Sequence, residues 1–159
     1  MVYSAAAPGE ARRIYVQSLA GDAPRAVTPP GVNPIPDLVN PVSPDGDWVT
    51  AIEADGTLAL YPVNGGAPRL LRRLEPADRL ARWAVFGRVA YIFRYGELPA
   101  GIYEVDMASD ARRLLRAIRP PDVAGIQTVH TLKLAADGRS YVYGCFQQLS
   151  ELCVAEGWR

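Results

Sequence analysis

Apolar side chains in this chain fall into short runs separated by glycine- and proline-containing turns, a pattern of brief strands rather than long helices. Three runs share one layout. Ile14-Tyr15-Val16 leads through Gly21-Asp22-Ala23 into Pro24-Arg25-Ala26-Val27, and Leu60-Tyr61-Pro62-Val63 through Asn64-Gly65-Gly66 into Pro68-Arg69-Leu70-Leu71. Ile102-Tyr103-Glu104-Val105 leads likewise through Ala108-Ser109-Asp110 into Arg112-Arg113-Leu114-Leu115. Each reads as strand, tight turn, strand, because the turn residues tolerate positive φ or fold back on their own backbone.

A fourth, partial copy stands at Leu152-Cys153-Val154, and the anchors Tyr15, Tyr61, Tyr103 and Cys153 are 46, 42 and 50 residues apart. A second hairpin repeats with them: Ser43-Pro44-Asp45-Gly46 precedes Trp48 to Ile52, Phe86-Gly87-Arg88 precedes Val89 to Phe93, and Ala136-Asp137-Gly138-Arg139 precedes Ser140 to Tyr143. Two hairpins per unit of this length suit a four-stranded propeller blade, about 40–50 residues in such repeats. The expectation is an all-β chain of about three and a half antiparallel blades, part of a six- or seven-bladed ring. A partial blade covers 1–28, whole blades cover 37–73 and 81–116, and a last blade over 128–157 lacks its outer strand. The innermost strands are expected at 38–42, 82–86 and 129–134, and the third strand of the last blade at 151–155. Open ring ends leave apolar faces, which points to completion by further blades or to association of copies. A competing helix over 67–84 is interrupted by Pro76, which leaves at most a short turn around 76–81.

The Ser43-Pro44-Asp45-Gly46 turn with its following strand, and the Leu60 to Gly66 run, resemble the WD40-like or TolB-like (PD40) propeller repeat. The tail, Leu132 to Tyr143 and then Leu149 to Gly157, is similar to the closing segment of propellers found C-terminal to bacterial serine/threonine protein kinases of eukaryotic type. Cys153 and the Phe86-Gly87-Arg88 turn depart from the repeat. The resemblance implies a non-catalytic protein-interaction or ligand-sensing module of a larger signalling protein, in a periplasmic or outer-surface setting. The alternative is a propeller gating substrate access to a prolyl-peptidase-like hydrolase domain.

The chemistry in the chain agrees with a non-enzymatic reading. There is no glycine-rich phosphate loop, catalytic-loop His-Arg-Asp, Asp-Phe-Gly or Gly-x-Ser-x-Gly, and His130 is the lone histidine for any triad. No cofactor or metal is expected: Asp45, Asp55 and Asp137 each precede a glycine and read as turn formers, too dispersed for a calcium loop. Cys145 and Cys153 are either free thiols or partners across a hairpin.

Seventeen basic and seventeen acidic residues cancel, which excludes a nonspecific nucleic-acid binder, and no apolar run reaches the ~20 residues of a membrane-spanning helix. Residues 1–11 lack the features of a secretory signal. The arginines around 69–73 and 112–116 read as charged rim strands that discourage edge pairing, or as a grip for an acidic partner. Proline-rich crossings at 28–44 and 119–125 lie on one face of such a ring, near its central opening. A protein or small ligand is expected there, at Arg82, Trp83, Gln127 and His130; a core tryptophan and a packing histidine are the structural alternative.

Overall fold

A computed structural model describes residues 1–34, 40–85, 87–135, 137–151, 153 and 157. Among the described residues there is no helix, and none is long and apolar enough to cross a membrane. The described residues form four antiparallel sheets in sequence order. The first contains β1 (Val2–Ala5), β2 (Arg13–Val16) and β3 (Arg25–Ala26). The second contains β4 (Asn33–Pro34), β5 (Trp48–Ile52), β6 (Leu58–Pro62) and β7 (Arg69–Leu70). The third contains β8 (Asp78–Trp83), β9 (Val89–Arg94), β10 (Ala100–Asp106) and β11 (Arg112–Ile118). The fourth pairs β12 (Ile126–Leu134) with β13 (Tyr141–Gln147). Each strand pairs with its neighbours in the chain, so every sheet is an open meander.

The turns explain the hairpins. Asp45, Asp55 and Asp137 accept backbone N–H bonds from Asp47 (3.1 Å), Thr57 (2.9 Å) and Arg139 (2.9 Å), while the following Gly46, Gly56 and Gly138 sit at φ of 82°, 87° and 68°. Asp side chains stabilise the turn, and glycine takes the left-handed conformation at no steric cost. The Ser43 hydroxyl donates to Asp45 and accepts from the Trp48 amide (3.0 Å), tying that turn to the strand it opens.

Period-two alternation then joins the sheets. On β6, Leu58 and Leu60 face the third sheet, where they pack with Leu80, Trp83, Ala90 and Ile92, whereas Ala59 and Tyr61 face the first sheet and pack with Ile14. On β9 and β10, Tyr91, Phe93 and Ile102 turn the other way, onto Val129, Leu132 and Leu134 of the fourth sheet. Three apolar clusters therefore occupy three successive sheet interfaces, and the two middle sheets are covered on both faces. Two anchor tyrosines share one side: Tyr61 and Tyr103 pack toward the preceding sheet, and Tyr15, in the first sheet, stacks on Tyr3 at 5.8 Å.

Arginines on the last strand of three sheets reinforce these interfaces. Arg25 donates to the Val63 carbonyl, Arg69 pairs with Asp110 at 2.5 Å, and Arg116 lies over the Tyr141 ring at 5.6 Å, each reaching from one sheet to the next. Arg113 pairs with Glu104 within its own sheet at 3.1 Å, and Arg72 and Arg73 are exposed.

Two sequence expectations need correction. The first strand of the third sheet, expected at 82–86, is Asp78–Trp83, because Asp78 is buried in an ion pair with Arg94 and the pairing with β9 begins there. In the second sheet the pairing along β5, expected at 38–42, starts in the proline-rich stretch, at Asn33 and Pro34 opposite Ile52 and Ala51, and resumes with Val42 opposite Val49. Residues 67–84 are not helical, in agreement with the interruption expected at Pro76: β7 and β8 flank a turn containing it. The predicted strand at 151–155 lies largely outside the described residues, as does the start of 38–42. Both cysteines are free thiols, Cys145 half-buried and Cys153 exposed.

Candidate functional site

Strand β8 is an edge strand of the third sheet, and its end is shaped by a register shift between Leu80 and Arg82. The extra residue lets Leu80 and Trp83, three apart, face the same apolar cluster, while Ala81 packs in the next one. Arg82 is left exposed. Its guanidinium Nη1 donates to the Leu134 carbonyl of β12 at 3.2 Å, and the indole Nε1 of Trp83 donates to the Pro41 carbonyl at 3.3 Å. Two adjacent side chains thus bridge in opposite directions, one to the fourth sheet and one to the second.

Where β8, β12 and the segment before β5 meet there is a cleft of about 310 Å³ lined by Asn40, Val42, Pro44, Ala81, Arg82, Trp83, Lys133 and Leu134. Its lining mixes apolar surface from Val42, Pro44, Ala81, Trp83 and Leu134 with polar surface that includes the two cations and the Asn40 amide, and no acidic residue lines it among the described residues. Asn40 is oriented by its own turn, its Oδ1 accepting from the Val42 amide at 3.0 Å. A concave, mostly apolar site with a few convergent polar groups is the usual form of a small-molecule site, and this one is at the small end of that range.

The four residues singled out from sequence part company. Arg82 and Trp83 line the cleft; Trp83 is only 5% exposed, so it serves as wall and core together. Gln127, near the other end of β12, donates from Nε2 to Gln148 Oε1 at 2.6 Å. His130 stacks on Phe146 of β13 with ring centroids 4.2 Å apart, its Nδ1 shielded and without a hydrogen-bond partner among the described residues. Neither lines the cleft. Sequence reading missed Lys133 and Asn40. Lys133 alternates with buried Leu132 and Leu134, which marks it as pointing away from the sheet interface but not toward a cleft.

Two further grooves lie between sheets. One, of about 260 Å³, runs between the second and third sheets past Trp48, Leu60, Arg69 and Met107. The other, of about 330 Å³, lies between the third and fourth sheets past Ile102, Arg116, Arg139 and Tyr141. Among the described residues no three histidine, cysteine or acidic side chains gather as metal ligands. Comparison with protein-family models and with curated proteins finds no match for this chain.

Proposed function

We propose that the four sheets are blades of a β-propeller of the WD40-like or TolB-like kind, and that the chain is a non-catalytic ligand-sensing or interaction module of a larger signalling protein. The observation that carries this reading is the convergence of β8, β12 and the segment before β5 on one cleft, bridged by Arg82 and Trp83. Meander sheets stacked in chain order through alternating faces support the propeller, since radial repetition buries sheet faces in this way. The cleft supplies shape, two cations and an apolar wall, the elements of recognition; no nucleophile and base line it among the described residues.

The test is a thermal-shift screen of small metabolites followed by calorimetry on the hits. The reading expects compounds that bind one per chain and are recovered chemically unchanged. Asn40→Trp, which places an indole in the cleft from an exposed position, should abolish their binding while leaving the unliganded melting temperature nearly unchanged. Turnover of a bound compound, or binding undiminished by Asn40→Trp, would count against it.

A further inference from the structure

Charge is unevenly distributed in this neutral chain. All the ion pairs among the described residues draw on Arg69, Arg88, Arg94, Arg112 and Arg113, which hold Glu75, Asp78, Glu97, Glu104, Asp106 and Asp110. These arginines lie in the second and third sheets and the turns that join their strands. Arg82 and Lys133 form no ion pair among the described residues, yet both line the same cleft.

Arg82 is also held in place. Its bond to the Leu134 carbonyl occupies one guanidinium nitrogen and fixes the arm across the sheet interface, leaving the remaining N–H groups as a fork. Lys133, adjacent to Leu134 on β12, brings a second positive charge from the facing strand. An anion bound in the cleft can accept charge-assisted hydrogen bonds from both cations. Val42, Pro44, Ala81 and Trp83 offer the apolar surface beside them.

We infer that this cleft takes a small organic anion, with its carboxylate or phosphate between Arg82 and Lys133 and its apolar body against Pro44, Ala81 and Trp83. The inference rests on the reading of the cleft as the module's binding site and adds the chemical class of its ligand. At about 310 Å³ the space suits a single-ring or short-chain compound rather than a folded partner.

The Trp83 indole N–H, bonded to Pro41 at the cleft wall, is a built-in reporter for nuclear magnetic resonance. Benzoate, phenyl phosphate, inorganic phosphate and neutral benzamide are titrated separately into the full chain. Benzoate or phenyl phosphate is expected to shift that resonance saturably, with benzamide at least about tenfold weaker and added salt weakening the anions. The stronger of the two identifies the head group, and inorganic phosphate shows what the head group does without an apolar body. Arg82→Gln and Lys133→Gln should each weaken the anion about tenfold, Arg82→Lys should lose less, and Arg73→Gln, an exposed arginine outside the cleft lining, should change nothing.

If benzamide binds as well as benzoate, the anion inference fails and the cleft remains a binding site. If no probe moves the Trp83 resonance, the inference fails; the screen with Asn40→Trp then decides the cleft's role by itself. Equal weakening by Arg73→Gln would reduce the effect to general charge and overturn the inference. The substituted side chains are exposed or half-exposed, and the dispersion of each variant's spectrum verifies folding.

Discussion

Asp78 and Arg94 stand opposite each other in the register of β8 and β9 and form a buried ion pair, Oδ1 to Nε 2.7 Å, with the residues 1% and 7% exposed. The pair is fully surrounded by partners. The Glu75 amide donates to Asp78 Oδ2 at 2.9 Å, Arg112 approaches the same oxygen at 3.5 Å, and Glu75 and Glu97 lie 3.3 and 3.4 Å from Arg94. Asp78 raises the Arg94 pKa through its hydrogen bond and its charge, so the guanidinium is charged at every accessible pH. Among the described residues, removing Asp78 leaves buried Arg94 only the longer contacts to the exposed Glu75 and Glu97, and removing Arg94 leaves buried Asp78 only the longer approach of Arg112 as a charged partner. Asp78→Asn and Arg94→Met are each expected to cost about 3–5 kcal/mol in urea unfolding, and the Asp78→Leu/Arg94→Met double variant less than the sum. Single-variant losses below about 1 kcal/mol would show that the pair is solvated.

Neighbours on β6 face opposite interfaces, and substitutions there should report each one separately. Leu60→Ala opens space between the second and third sheets and is expected to cost about 2–5 kcal/mol. Ala59→Leu forces extra volume between the first and second sheets and is expected to cost about 1–3 kcal/mol. A neutral Ala59→Leu would mean that the first sheet does not cover this face.

Acid sensitivity should arise in the turns. The carboxyl of Asp45 is held below its ordinary value of 3.8 by the Ser43 hydroxyl and then the Asp47 amide, and that of Asp106 by the Ser109 and Ala108 amides and the Ser109 hydroxyl. A depressed folded-state pKa means that the unfolded chain takes up protons first. The stabilisation is therefore whole above about pH 4 and is lost as pH falls through the lower folded values. Melting temperature should be nearly level from pH 7 to 5 and decline below about 4, with a shallower decline in Asp106→Asn. An unchanged slope in that variant would remove Asp106 from the account.

At the alkaline end the sign reverses for Tyr61. Burial, and then the hydrogen bond to Glu53 Oε1 at 2.6 Å, raise its phenol pKa above the usual 10, so its contribution holds below pH 10 and fades as pH rises beyond it. Tyr61→Phe should cost about 0.5–1.5 kcal/mol at neutral pH and flatten the loss above pH 10, read by urea unfolding across pH. A variant as stable as the parent at pH 7 and equally alkali-sensitive would contradict this.

Hairpins were readable from sequence because their turns have local chemistry: aspartate before glycine, and alternation on either side. Strand β8 was displaced because Asp78 is polar yet buried, and only its partner Arg94, sixteen residues on, explains that. Asn33 and Pro34 were hidden in a proline-rich stretch whose pairing depends on β5. The cleft was half visible. Arg82 and Trp83 stood at an expected inner strand, whereas Lys133 and Asn40 come to them only through the stacking of three sheets. His130 and Gln127 share β12 with Lys133 but lie outside the cleft lining, His130 against Phe146 and Gln127 against Gln148.

Methyl–methyl nuclear Overhauser contacts in a selectively labelled sample test the stacking order most directly. Leu58 and Leu60 should contact Leu80 and Ile92, and Ile102 should contact Val129 and Leu132, with no contact between Leu60 and Leu132. Contacts joining Leu60 to Leu132, or absence of those between Leu60 and Ile92, would contradict sheets stacked in chain order and the convergence of β8, β12 and the segment before β5 on one cleft.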